Sequence, residues 1–151
     1  MSNERQYTSR RYSILTALSQ QIKAINGTGG YKTNLWEQVK PKMEFWDEIE
    51  EFPAVRMALG REIREYQGGG YKDRFLTITL NCYVKDEDPQ NALELLLEDL
   101  ETVIEQNGRL AYQDSSGAVQ TTQDILIVSI DTDEGALAPL GVGELILNVR
   151  Y

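Results

Sequence analysis

The chain has 151 residues, 41% hydrophobic and 26% charged, enough for one domain to bury roughly 70% of its unfolded surface without a staple. Fifteen basic against twenty-four acidic residues give a net charge of −9, which excludes a protein that grips nucleic acid through its phosphates but not one that lets nucleic acid pass. The absence of histidine removes the commonest general base and transition-metal ligand, the single Cys82 excludes an internal disulfide, and no apolar run approaches the roughly 18–20 residues of a membrane span.

Residues 1–7 read as a polar, flexible arm without the apolar centre of a signal peptide, so the chain is expected to stay in the cytoplasm of the cell that makes it. Thr8 or Ser9 then caps a helix whose stripe is Ile14, Leu15, Leu18, Ile22 and Ile25, stopped by the Asn26–Gly30 turn. Tyr31 to Val39 reads as a short edge strand ended by Pro41, and Met43 to Phe52 mixes carboxylates with aromatic residues and specifies no element. After Pro53, Val55, Met57 and Leu59 alternate with Ala54, Arg56 and Ala58 as in a strand; Gly60 to Tyr71 reads as its end or a bulge, then a flexible Gly-rich loop. The tetrad Gly-Gly-Tyr-Lys occurs at Gly29 and again at Gly69, but its flanks do not match and it marks recurrent turn chemistry, not a repeat.

Phe75 to Asn107 is the unit around which the rest is layered. Leu76, Ile78, Leu80, Cys82 and Val84 fall on one face of a strand, with Phe75, Thr77, Thr79, Asn81 and Tyr83 on the other. Asp88 is a good N-cap, Pro89 suits the first helical position, and Leu93, Leu96, Leu97, Leu100, Val103 and Ile104 form an apolar stripe up to Asn107-Gly108. Arg109 to Asp124 reads as a loop or loose hairpin. Ile125 to Ile130, almost continuously apolar, reads as a strand buried on both faces. The turn Asp131–Gly135 and the loop Ala136–Val142 lead to a last strand in which Leu145, Leu147, Val149 and Tyr151 share a face. The fold class expected is α+β: one domain spanning residues 1–151, a largely antiparallel or mixed sheet with two main helices on one face.

Motifs for chemistry are weak. Gly68-Gly69-Gly70-Tyr71-Lys72 precedes a strand, where a phosphate loop needs a helix N-terminus. Asp131-Thr132-Asp133-Glu134-Gly135 resembles the start of a calcium loop but has glycine at the third ligand position, which fits a solvated turn better. Carboxylates near Trp46 offer no distinguishable acid/base pair, and no cofactor or metal site is expected. Glu94, Glu98, Glu101 and Glu105 share a narrow sector of the second helix opposite its leucines, although such like-charge pairs cost about 0.2–0.5 kcal/mol each. That sector is either a solvated face or one turned toward a basic partner or a polyanion that must not stick. Leu95, off the apolar stripe, and the apolar loop Ala136–Val142 either pack internally or contact a neighbouring subunit.

The run FPAVRMALGRE, a glycine loop, RFLTITLNCYVKDEDPQNALELLLEDLETVIEQN and DILIVSIDTDEGALAPLGVGELILNVRY together resemble the tail-terminator proteins of long-tailed bacteriophages, over about residues 10–151. The resemblance implies an α+β sheet with helices on one side and a non-enzymatic protein of the virion tail or neck, assembled in the host cytoplasm. It implies self-association into a hexameric ring that stops tail-tube polymerisation. The implied partners are the tail tube protein, the head-side connector or stopper protein, and phage DNA passing through the lumen unbound; no membrane is implied. Another neck component, such as a head-closure or tail-completion protein, and a small cellular α+β binding domain are the alternatives. On this reading Leu95, Leu137, Pro139, Leu140, Gly69, Tyr71 and Tyr31 are candidates for subunit or partner contacts. Glu44, Asp47 and Glu48, or Glu94, Glu98, Glu101 and Glu105, are candidates for an acidic lumen.

Overall fold

The computed structural model describes residues 7–151; the arm expected over residues 1–7 lies outside them except for Tyr7, which is exposed. The elements in chain order are α1 (Arg10–Ile22), β1 (Val39–Lys40), β2 (Ala54–Tyr66), β3 (Lys72–Lys85), α2 (Pro89–Gln106), β4 (Ala111–Gln113), β5 (Val119–Thr121), β6 (Asp124–Thr132) and β7 (Leu140–Arg150). A five-stranded sheet has the order β1-β2-β3-β7-β6, with β1 parallel to β2 and every other pair antiparallel; β4 and β5 form a separate hairpin.

Both helices start where their capping residues dictate. The Ser9 side chain accepts from Tyr12 N and the Asp88 side chain from Asn91 N, so each satisfies a donor that the first helical turn leaves free. Their apolar stripes meet the same face of the sheet: Ile14, Leu18 and Ile22 of α1 and Leu96, Leu100 and Ile104 of α2 join Leu76, Ile78, Leu80, Leu145 and Leu147 in one core. Cys82 is part of that core, and burial pushes its thiol pKa up. The fit is closest where α2 begins: a Cβ at Gly141 would lie 2.7 Å from Val84 Cγ2 and 3.0 Å from the Pro89 carbonyl. Only glycine admits that approach of β7 to the helix.

The other face of the sheet carries no helix. It presents Thr77, Thr79 and Asn81 of β3 and Ile146 and Asn148 of β7, all partly exposed. One end is crossed by the segment between β1 and β2, with a 3-10 turn at Trp46–Glu48, whose Ile49 packs on Ala54 and Tyr83. Tyr83 Oη donates to the Glu44 carbonyl at 2.7 Å, and the buried Arg56 Nε donates to the Glu44 carboxylate at the same distance.

Four expectations from the sequence change. The strand expected over Tyr31–Val39 shrinks to Val39–Lys40, because Trp36 and Glu37 take positive φ and the backbone of Lys32 and Thr33 is tied to the buried Asp99 carboxylate on α2. The strand end or bulge expected at Gly60 is a bulge, between Leu59 and Glu62, but β2 continues past it and pairs with β3 as far as Tyr66↔Lys72, so the flexible loop expected there shrinks to the tight turn Gln67–Tyr71. The loop expected to reach Val142 ends at Leu140, which pairs with Lys85. Ile125–Ile130 is not buried on both faces. It belongs to the outermost strand, with Leu126 59%, Val128 62% and Ile130 43% exposed.

Candidate assembly surfaces

The antiparallel register fixes which surfaces can act together. Phe75↔Arg150 is the last β3–β7 pair at one end of the sheet and Lys85↔Leu140 the last at the other, so the β2–β3 turn and the β6–β7 loop lie at opposite ends. Gly69 and Tyr71 are therefore separated from Leu137, Pro139 and Leu140 by the length of a strand. Both loops are candidates for subunit or partner contacts, and the fold sets them at two ends of the sheet.

At the first end, the pairs Arg64↔Arg74, Glu65↔Asp73 and Tyr66↔Lys72 carry the β2–β3 hairpin past the rest of the sheet. Its tip exposes Tyr66 (72%) and Tyr71 (75%), with Gly69 at φ 76° making the turn. Its base is held by Glu62, whose side chain is nearly buried. Burial alone would push the Glu62 carboxyl up, but the bonds donated by Tyr151 Oη and by Arg64 Nε at 2.6 Å outweigh it and hold it below the usual carboxylate range. Tyr151 answers in kind: burial and the neighbouring Glu62 carboxylate push its phenol up to about 12. Arg150 Nη2 donates to Asp73 Oδ1 at 2.9 Å, a second clamp on the same hairpin.

At the second end Leu137 and Pro139 are exposed and Leu140 is half-buried. The Asp133 carboxylate accepts from Leu137 N and Val142 N, each at 3.2 Å, so the stretch with a calcium-loop start spends this side chain on its own turn. Gln90 Nε2 donates to the Glu134 carbonyl at 2.7 Å and ties the loop to α2. Leu95 is half-buried and helps to line an open groove with Trp36, Phe52, Pro53 and Val84. Tyr31 packs against the main core.

The two acidic sets lie on opposite sides of the sheet. Glu94, Glu98, Glu101 and Glu105 are exposed on the helix-bearing side, where Glu98 pairs with Lys32. Glu44 and Glu48 lie beside Arg56 over the open face, where the Arg56 bond holds the Glu44 carboxyl below its usual range, and Asp47 is exposed in the same 3-10 turn as Glu48.

Sequence reasoning missed three groups of exposed apolar side chains: Leu126, Val128 and Ile130 on β6; Trp36 before β1; and Met43, Phe45 and Trp46 between β1 and β2. The signal for the first was present. A run apolar at successive positions suits a strand covered on both faces, and nothing in such a run says that the second cover belongs to the same chain.

The sequence profile of a family described as Bacteriophage Tail Tube Terminator Protein matches residues 8–151. The chain belongs to this phage tail terminator family. It is 36% identical over 149 residues to the tail tube terminator protein p142 of Escherichia phage T5, covering 93% of this chain and 92% of that protein. Its fold is also similar to a chain of the virion of a native gene transfer agent particle, at a TM-score of 0.57 and 10% identity over 92% of this chain and 94% of that one. Family membership makes this a structural component of a phage tail, in agreement with the resemblance read from the sequence. Among the described residues no group of three or more cysteines and carboxylates is arranged to hold a metal, and no helix is long and apolar enough to cross a membrane.

Proposed function

We propose that the protein closes into a hexameric ring at the head-proximal end of the tail tube, stops tube polymerisation there and offers its far side to the head-side connector or stopper protein. The observation that carries this reading is the 36% identity to a tail tube terminator along nearly the whole of both chains. The fold supplies what a terminator needs. One end of the sheet presents an aromatic hairpin tip and the other an apolar loop, so the two sides of a ring differ and a partner seated on one finds no matching surface on the other. The candidates for the first side are Gly69 and Tyr71, and for the second Leu95, Leu137, Pro139 and Leu140. Tyr31, half-buried against the core, supports its loop.

The open sheet face is the surface suited to line the passage for DNA. Thr77, Thr79, Asn81 and Asn148 give it hydroxyls and amides beside the apolar Ile146, its arginines Arg56 and Arg150 are paired with Glu44 and Asp73, and Glu44 and Glu48 lie at its Arg56 end. With both arginines paired, Lys40 beside Arg56 is an exposed cation at this edge, and the excess of carboxylates around it, Glu44, Glu48, Glu50 and Glu51, discourages phosphates from lodging. The α2 glutamates then face away from the axis. The reaction is recognition alone, in the virion neck after assembly in the host cytoplasm, with no bond made or broken and no cofactor.

The test is polymerisation of the tail tube protein with and without the purified chain. Shorter tubes, carrying this protein at one end only, support the reading. Unchanged lengths, or protein bound along the tube wall, contradict it.

A further inference from the structure

We propose that adjacent copies of this chain join edge to edge: the free edge of β2 over Glu62–Tyr66 in one copy, beyond the Gly60 carbonyl that the Arg11 side chain covers, lies against the free edge of β6 over Leu126–Ile130 in the next. This rests on the ring reading and specifies its subunit contact.

The sheet has two long edges without a strand partner. β1 pairs only with Val55 and Arg56, so the outer edge of β2 beyond Arg56 meets no strand; β6, at the other end of the order, has β7 on one side and no strand on the other. An unpaired edge is a template for another chain, and folded monomers blunt it with proline, lysine or a covering element. β6 has neither proline nor lysine from Asp124 to Thr132; its one interruption is a bulge between Ile127 and Ser129, and it adds exposed Leu126, Val128 and Ile130 to its free backbone groups.

The two edges are chemically complementary, and this points to a second copy as the occupant. Beyond the bulge, the β2 register puts Ile63 opposite Phe75 on the open face and Arg64 opposite Arg74 on the helix-bearing face. On β6, Leu126 lies opposite Asn148 on the open face, while Glu101 and Glu105 of α2 rim a groove on the helix-bearing face, lined by Ile104, Ile125 and Ile130. Apolar Ile63 thus meets apolar Leu126, and cationic Arg64 meets the two carboxylates. Glu65 on β2 and Asp131 on β6 fall outside these matches. Arg64 is bonded to Glu62 within its own chain, and its side chain remains 44% exposed to reach a neighbour.

Symmetry decides between copies back to back and copies in series. A two-fold contact of β6 with β6 would leave the β2 edge bare on every copy and would bring the α2 glutamates together. A β2–β6 contact uses both edges of each copy, repeats without end groups in a closed ring, and carries one sheet around it with the open face continuous.

The experiment uses tails purified from phage whose only copy of this protein carries Ile63→Cys and Leu126→Cys together, or either alone, treated with a bifunctional thiol linker. Both positions are exposed, and the buried Cys82 does not react. The proposal expects the double variant to give a ladder of covalent oligomers beyond the dimer, at least tenfold above either single variant. Dimers from Leu126→Cys alone would establish the two-fold contact and overturn it. Tails of normal length that retain the double variant without forming crosslinks would overturn the edge contact while leaving the terminator reading intact. Loss of the protein from otherwise normal, headed tails would overturn the terminator reading and the contact with it.

Discussion

β3 and β6 flank the same strand, β7, and both read in the sequence as apolar, yet they occupy opposite situations. In β3 the side chains Leu76, Ile78, Leu80 and Cys82 are fully buried under the helices, and the alternate residues Thr77, Thr79 and Asn81 face solvent. In β6 only Ile125 is buried, Ile127 is half-buried, and the apolar Leu126, Val128 and Ile130 that follow are exposed. The period-2 pattern of β3 matches what one chain can cover. The surplus of apolar residues in β6 exceeds it, and an apolar surface the monomer cannot cover is one that assembly can. The difference between the two strands separates residues that hold the fold from residues that serve its joining.

The sharpest way to break this comparison is to truncate each strand in turn. Leu80→Ala should cost about 2–5 kcal/mol, read as a large drop in thermal midpoint, because its surroundings are fully packed. Leu126→Ser should leave the monomer within about 0.5 kcal/mol of the parent. A loss at Leu126 comparable to that at Leu80 would return β6 to the core.

Asp99 is next. Its buried carboxylate accepts from Lys32 N, Thr33 N and Thr33 Oγ1, the last at 2.7 Å, and holds the loop after α1 on α2. Asp99→Ala should cost about 1.5–3 kcal/mol in chemical denaturation and speed amide exchange at Lys32 and Thr33. Gly141→Val tests the packing of β7 on the start of α2 and should cost about 1–3 kcal/mol by overpacking.

The hairpin base makes a pH prediction. Because the folded Tyr151 phenol titrates at about 12 instead of 10.0, its contribution is fully present below pH 10 and is lost as pH rises from there through the folded value. That loss is roughly 2 kcal/mol and should vanish in Tyr151→Phe, read from unfolding free energies across the alkaline range. Glu62 acts with the opposite sign. Its lowered carboxyl contributes stability above its ordinary value near 4.5 that is lost as pH falls through the folded value, and Glu62→Gln should flatten that acid limb.

The smallest effect belongs to the hairpin tip. Tyr66→Ser with Tyr71→Ser should change stability by under about 0.5 kcal/mol, since both rings are in solvent, while weakening attachment to whatever the tip meets.

What was legible in the sequence follows the same division. The core unit was readable because each local signal agreed: the alternation of Leu76 to Val84, the Asp88 cap, Pro89 behind it and the leucine stripe of α2. β2 beyond Gly60 was not, because Arg61, Glu62, Arg64 and Glu65 have the composition of a loop; their strand conformation comes from pairing with β3 across the sequence. The segment from Tyr31 was misread because its anchor, Asp99, is distant in the chain and looks from its sequence like one more carboxylate on an acidic helix. The relative placement of the candidate contact residues was hidden for a similar reason. Gly69 and Leu137 both read as exposed loop, and only the register of β3 with β2 and β7 reveals that they lie at opposite ends.

The most direct measurement of the central claim is electron microscopy of negatively stained particles from a phage lacking this protein. The account predicts tails of uncontrolled length without heads, restored to a single length and to joined heads when the protein is supplied in trans. Tails of normal length, correctly joined to heads in its absence, would contradict it.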